Sequence, residues 1–161
     1  MRYDQAPPWD PSRCDAPGLK PGAVALGRQL RQRFGAVVRV GGYNCRPNTA
    51  SPDLMSMHGT GRAIDVMIDP ARAAQGDAIA NWLVENASTY GVQLVIWKRT
   101  KWNGSFHGRK DEPYFGPNAH LDHLHVELND DGARKGGGVL WVVLAGLGGG
   151  LAARWWRRRR G

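Results

Sequence analysis

Cysteine is scarce: Cys14 and Cys45 are the only two in 161 residues. Neither sits in a CxxC or any other zinc-ribbon spacing, which argues against a cysteine-ligated metal. Two readings of the pair stay open. They are reduced, half-buried thiols, or they form a bridge tying the N-terminal arm to the loop before the first histidine motif. Such a bridge closes a loop of roughly 30 residues and implies an oxidising compartment. The start of the chain also lacks the apolar core of a signal peptide, since Met1 to Cys14 is polar and proline-rich. Net charge is missing from most of the chain. Residues 1–132 hold 15 Lys/Arg against 14 Asp/Glu, a balance of +1, although the whole chain carries +8. The other seven basic residues are Arg134, Lys135, Arg154 and Arg157 to Arg160, in a tail with no acid. A basic nucleic-acid groove in the domain has no support, and no nucleic-acid partner is expected. No internal repeat is visible.

What is present divides the chain. Residues 1–18 read as an irregular arm with Pro7, Pro8, Pro11 and Pro17, and residues 19–132 as the folded domain. Residues 133–138 read as a Gly-rich linker, and 139–161 as a membrane segment with an Arg-rich tail. Gly136 to Ala153 is 18 residues without a charge, the lower limit for spanning a bilayer, and seven of them are glycine. Trp155 and Trp156 fall where an interfacial aromatic belt belongs, and the arginines favour the cytoplasmic side. The competing reading is a disordered, basic, Gly-rich tail.

Within the domain, Pro21 to Phe34 reads as a helix with Val24, Leu26, Leu30 and Phe34 on its apolar side and Gly35 as its stop. Ala36 to Val40 and Ala63 to Ile68 read as strands. Pro70 opens a helix to about Tyr90, with Ile79, Leu83 and Ala87 on one stripe. Val92 to Trp97 is an apolar strand, Lys98 to Ala119 a long loop with a hairpin at Asn103-Gly104, and Leu124 to Leu128 the last strand. This mixture predicts an α+β fold: a small, mainly antiparallel sheet flanked by helices, with a C-terminal hydrophobic segment beyond it.

Two stretches carry chemistry. In Ser56-Met57-His58-Gly59-Thr60-Gly61-Arg62-Ala63-Ile64-Asp65, a histidine in a glycine-bracketed loop precedes a strand aspartate by seven residues. On that strand Asp65 shares a face with Ala63 and Met67. A carboxylate among strand residues needs a cation or a metal beside it. In His120-Leu121-Asp122-His123-Leu124-His125-Val126-Glu127, His123 and His125 share one face and Leu124 and Val126 the other. A strand histidine pair alone is more often surface or packing than metal. Four of the five histidines, however, fall in these two stretches, and each stretch also holds an acid. Together they suit zinc, which takes three N/O ligands and leaves a position open.

The run Ser-x-His-x-x-Gly-x-Ala-x-Asp, complete from Ser56 to Asp65, resembles the signature of the D-Ala-D-Ala carboxypeptidase branch of the LAS metallopeptidases (VanY-like). The His123-x-His125 pair is similar to that family's third-ligand motif. Gly42-Tyr43-x-Cys45-Arg46 and Asp122-His123-x-His125 look like a mostly actinobacterial or phage branch. The resemblance implies a hedgehog-like α+β fold and one zinc held by His58, Asp65 and His125. It also implies a catalytic or orienting role for His123, and Arg46 facing a substrate carboxylate. Many family members place a Glu as general base three residues before the last ligand. Here that position is Asp122, one methylene shorter, so the base stays open among Asp122, His123 and His120. Arg62 reads as bracing the loop. Trp97, Trp102, Tyr114 and Phe115 line a cleft or belong to the core, and His107 has no partner pattern.

The function expected from the resemblance is zinc-dependent hydrolysis of peptidoglycan stem or cross-bridge peptides, as a carboxypeptidase or an endopeptidase. The domain would act at the cell wall, membrane-associated through its tail. As a phage endolysin it would stay cytoplasmic until released through a holin. The alternative is a metal-binding wall-interaction module that has lost catalysis, a reading kept open by the shortened acid at Asp122.

Overall fold

The computed structural model describes residues 3–15, 18–35, 38–104 and 112–135. The expected membrane segment, the arginine run and His107 lie outside the described residues. No helix among those described is long and apolar enough to cross a membrane.

The fold is α+β. Six antiparallel strands form one open sheet in the order β1-β2-β6-β3-β4-β5. They are β1 (Arg39–Gly41), β2 (Ala63–Met67), β3 (Val92–Trp97), β4 (Thr100–Asn103), β5 (Glu112–Pro113) and β6 (His123–Leu128). Strand alternation gives the sheet two unlike faces. Ile64, Val66, Val95, Trp97, Leu124, Val126 and Leu128 are fully buried in the core with residues of helices α1 (Pro21–Phe34) and α2 (Ala73–Glu85). The other face carries Asp65, His123, His125 and Glu127. With the helices gathered on one side, the polar face of β2 and β6 is left to form a site.

Helix α1 has the bounds its sequence predicts, but its buried stripe is Ala23, Leu26 and Leu30, while Val24 is 41% exposed. At 3.6 residues per turn Val24 lies roughly 200° around the helix from Leu26, so one face cannot hold both. The helix expected from Pro70 to Tyr90 comes in pieces: a 3-10 turn at Pro70–Arg72, then α2, then α3 (Ala87–Tyr90). Asn86 interrupts it, its side-chain amide donating back to the Trp82 carbonyl at 2.8 Å, as Asn tends to do in competition with helix. Ile79, Leu83 and Ala87 are buried as expected.

The sharpest departure is in the long loop expected from Lys98 to Ala119. Lys98 and Arg99 both take positive φ, 48° and 56°, and make a two-residue turn joining β3 to β4. Such turns need left-handed backbone at both central residues and usually announce themselves with Asn or Gly; Lys-Arg gives no such signal. The turn is held from outside, since the Lys98 and Arg99 amides donate to the His120 and Ala119 carbonyls at 3.0 Å each. Asn103 ends β4, and β5 returns beside it after residues outside the described set. Of the strand expected from Ala36 to Val40, Ala36 and Val37 lie outside the described residues, and β1 runs Arg39–Gly41.

The N-terminal arm is bound along the domain. Cys14 and Cys45 form a disulfide, with Cα atoms 5.8 Å apart. Trp9 N donates to the Asp53 carbonyl and Met55 N to the Pro7 carbonyl, at 2.8 and 2.9 Å. At the other end, α4 (Asp130–Arg134) is capped by Asn129, whose side chain accepts from Gly132 N at 2.8 Å. It packs on α1, with Gly22 against the Gly132 carbonyl and Ala133 buried.

Candidate metal centre

The two sequence motifs meet on the polar face of the sheet. Asp65 and His125 are direct cross-strand partners on β2 and β6. His58 arrives from the tight loop before β2, where Gly59 N and Thr60 N donate to the Ser56 carbonyl and Gly61 N to the His58 carbonyl. Ser56 Oγ accepts from His58 N at 3.3 Å. Gly61 sits at φ 72° with the Gly18 carbonyl against it, so a side chain there meets both strain and a clash. Arg62 is buried and braces this loop. It donates to Asp130 at 2.7 Å, to Thr60 Oγ1 at 3.3 Å, and to the Asp4 and Gln5 carbonyls at 3.1 and 3.0 Å.

Three donor atoms converge. His58 Nε2 lies 3.1 Å from His125 Nδ1 and 3.4 Å from Asp65 Oδ1, and His125 Nδ1 lies 3.2 Å from Asp65 Oδ1. A tetrahedral zinc with bonds of about 2.0–2.1 Å has ligand–ligand edges of about 3.3 Å. The triangle matches one face of that tetrahedron. The far nitrogen of each ring is already engaged. His58 Nδ1–H donates to the Gly42 carbonyl at 2.5 Å, and His125 Nε2–H to Glu127 Oε1 at 3.1 Å. These bonds fix the tautomers that leave both converging nitrogens with a lone pair, the usual support of a histidine ligand. Gly42 reaches His58 because it carries no side chain, since a Cβ there would lie 2.5 Å from the Ala63 carbonyl.

With no cation between them the converging groups pair by charge, and His125 offers its Nδ1 lone pair only once a cation displaces the proton there. Burial opposes ionisation of Asp65, but hydrogen bonds and charge from His125 and His58 outweigh it and hold the carboxyl well below the usual range. Burial likewise opposes a charge on His125, yet the Asp65 and Glu127 carboxylates hold its pKa up at about 9. Glu127, whose burial would raise its pKa, is instead lowered, first by its bond to His125. His120 is pushed down to about 4, by burial first and then by the positive charge of His125.

A cleft of about 560 Å³ opens over these atoms. His123 and His120 line it, while Asp122 does not; its side chain is 64% exposed, with Oδ1 2.7 Å from His123 Nδ1. Asp122, one of the three candidate bases, is therefore not turned into the cleft but stands behind His123. His120 Nδ1–H donates to the Asn118 carbonyl at 2.7 Å, and its ring packs 4.9 Å from His123 and 5.8 Å from His125. His120 also has positive φ, 52°, a strained backbone for a non-glycine residue. Arg46 lines the cleft with Nη1 donating to Thr49 Oγ1 at 2.8 Å and to the Pro47 carbonyl at 3.2 Å. Of the four aromatics in question, Trp97 and Trp102 belong to the core, Tyr114 lines the cleft, and Phe115 is 90% exposed.

Glu127 received no role from the sequence, although its position two residues beyond His125 puts it on the same strand face. Tyr3 gave no signal at all. It lies 124 residues from Glu127 along the chain and bonds it at 2.9 Å.

Residues 15–124 match the family model described as VldE, C-terminal domain, more than half of the chain. The chain belongs to this family. The matched stretch includes His58 and Asp65 and ends one residue before His125. Among solved structures, the chain is similar to that of the LdcB LD-carboxypeptidase, whose structure concerns peptidoglycan recognition. The two are 21% identical, with 83% of this chain and 80% of that chain covered and a TM-score of 0.43. No curated protein matches this sequence.

Proposed function

We propose that this chain is a zinc-dependent peptidase that hydrolyses peptide bonds in bacterial peptidoglycan, with stem or cross-bridge peptides as substrates. The observation that carries the metal reading is the triangle of His58 Nε2, Asp65 Oδ1 and His125 Nδ1, with edges of 3.1–3.4 Å and both imidazole tautomers fixed from behind. The substrate class is supported by the resemblance of Ser56 to Asp65 and of His123-x-His125 to the LAS metallopeptidases. The protein's site at the cell wall, and the Trp-Arg tail as its membrane anchor, belong to the same proposal.

His58, Asp65 and His125 would hold the zinc, which supplies a Lewis acid to polarise the scissile carbonyl and to acidify water. His123 accepts the proton of the attacking water at Nε2, because its Nδ1–H is given to Asp122. The Asp122 carboxylate then stabilises the imidazolium and keeps the ring in place. His120, tied to Asn118, presents a second unprotonated nitrogen beside it. Arg46 offers its guanidinium to a substrate carboxylate.

One observation favours a second reading, a metal-binding wall module without catalysis. The acid three residues before the last ligand, Asp122, does not line the cleft. Mass spectrometry of peptidoglycan fragments incubated with the chain separates the two. Hydrolysis predicts newly cut peptides with zinc present and none after chelation. Uncut fragments that still bind the chain would establish the second reading instead.

A further inference from the structure

Glu127 is a buried carboxylate in the row Asp65, His125, Glu127 on the polar face of the sheet, with Ala63 and Leu94 across from it. Both its oxygens are engaged. Oε1 accepts from His125 Nε2–H at 3.1 Å, and Oε2 accepts from the Tyr3 hydroxyl at 2.9 Å and from Gln93 Nε2 at 3.3 Å. A carboxylate taken from water at this depth is costly unless donors surround it, and these three supply them from three separate parts of the chain. Gln93 is also fully buried, and it clasps the arm twice. Its Oε1 accepts from Asp4 N at 2.9 Å and its Nε2 donates to the Asp4 carbonyl at 3.1 Å. Arg62, next to the histidine loop, donates to the same carbonyl.

We infer that Glu127 is the positioning residue for the metal ligand His125, and that Tyr3 in turn holds Glu127, so that the N-terminal arm is a working part of the metal centre. The inference rests on the zinc reading above and extends it to Glu127 and Tyr3, which line the same cleft but are not among the three converging ligand atoms. Glu127 acts in two ways. By accepting the Nε2–H hydrogen bond it favours the tautomer whose Nδ1 lone pair faces His58 and Asp65, and its negative charge makes that nitrogen a stronger donor. Tyr3 acts on Oε2 alone. Without its hydroxyl the carboxylate keeps, among the described residues, Gln93 alone on Oε2 and is less firmly held toward His125.

The test is zinc affinity, measured by competition with a chelator on the full chain, for the parent, Glu127→Gln and Tyr3→Phe. Melting of each zinc-free protein is recorded alongside. Glu127→Gln keeps the shape and loses the charge, and it should weaken zinc binding by about 10- to 100-fold. Tyr3→Phe should weaken it in the same direction by a smaller factor. The absorption spectrum of bound cobalt should shift in both, a signature that a merely structural role would not move. If Glu127→Gln does not fold, Tyr3→Phe on the half-buried arm decides alone. Parent affinity in the folded variants overturns the inference. So does parent affinity with hydrolysis lost in Glu127→Gln, which would place Glu127 on the substrate. If the parent itself binds no zinc, the metal reading has failed and the inference with it.

Discussion

Replacing both Cys14 and Cys45 by serine removes the bridge while leaving the arm's other ties in place: Trp9 to Asp53, Met55 to Pro7, and Arg62 to the Asp4 and Gln5 carbonyls. The native contacts should therefore persist, and the change should fall on the unfolded chain. The bridged residues are 31 apart. The loop-entropy relation then gives about 3.7 kcal/mol at 25 °C. That is a large part of the ~5–15 kcal/mol that stabilises an ordinary domain. Urea unfolding under non-reducing conditions measures it. The double variant should lose about 3–4 kcal/mol and show a steeper denaturant dependence, because its unfolded state is more expanded. Its zinc affinity when folded should stay within a few-fold of the parent. A loss below about 1 kcal/mol with unchanged slope would refute the reasoning, and would mean that the unfolded chain is already compact without the bridge.

Arg99 is exposed and held at φ 56°, so Arg99→Gly should raise stability by about 1 kcal/mol in thermal unfolding; a decrease would show that the arginine side chain supports the turn. His123→Ala should keep its zinc and lose ~10²–10⁴-fold in hydrolysis of wall fragments, with Asp122→Asn falling in the same direction. If both hydrolyse at the parent rate, the base is His120. A chain ending at Lys135 should melt like the full-length protein, whereas one ending at Asp131 loses the Asn129 cap on Gly132 and the burial of Ala133. That second truncation should cost about 2 kcal/mol, and equal melting of the two would remove α4 from the fold's support.

The sequence shows most where a residue's role is local. Helix α1 and strand β3 have the ends their stop signals and apolar runs imply, and Asp65 and His125 lie on the strand face that alternation assigns them. It shows least where distant groups meet. The Lys98-Arg99 turn is forced by carbonyls of residues 119 and 120, and no local preference of Lys or Arg announces it. Whether Asp122 enters the cleft depends on a side-chain rotation, and the bond to His123 turns it outward. Glu127 was within reach of the period-two pattern, but its partner Tyr3 was not, because nothing in a proline-rich arm marks one tyrosine as the donor to a carboxylate 124 residues away.

The central claim is that His58, Asp65 and His125 together hold one zinc ion. Metal analysis of the purified chain and of His58→Ala, Asp65→Ala and His125→Ala tests it most directly. One zinc per chain in the parent, with occupancy collapsing in each variant, is the predicted result. Full occupancy in any of the three would contradict it.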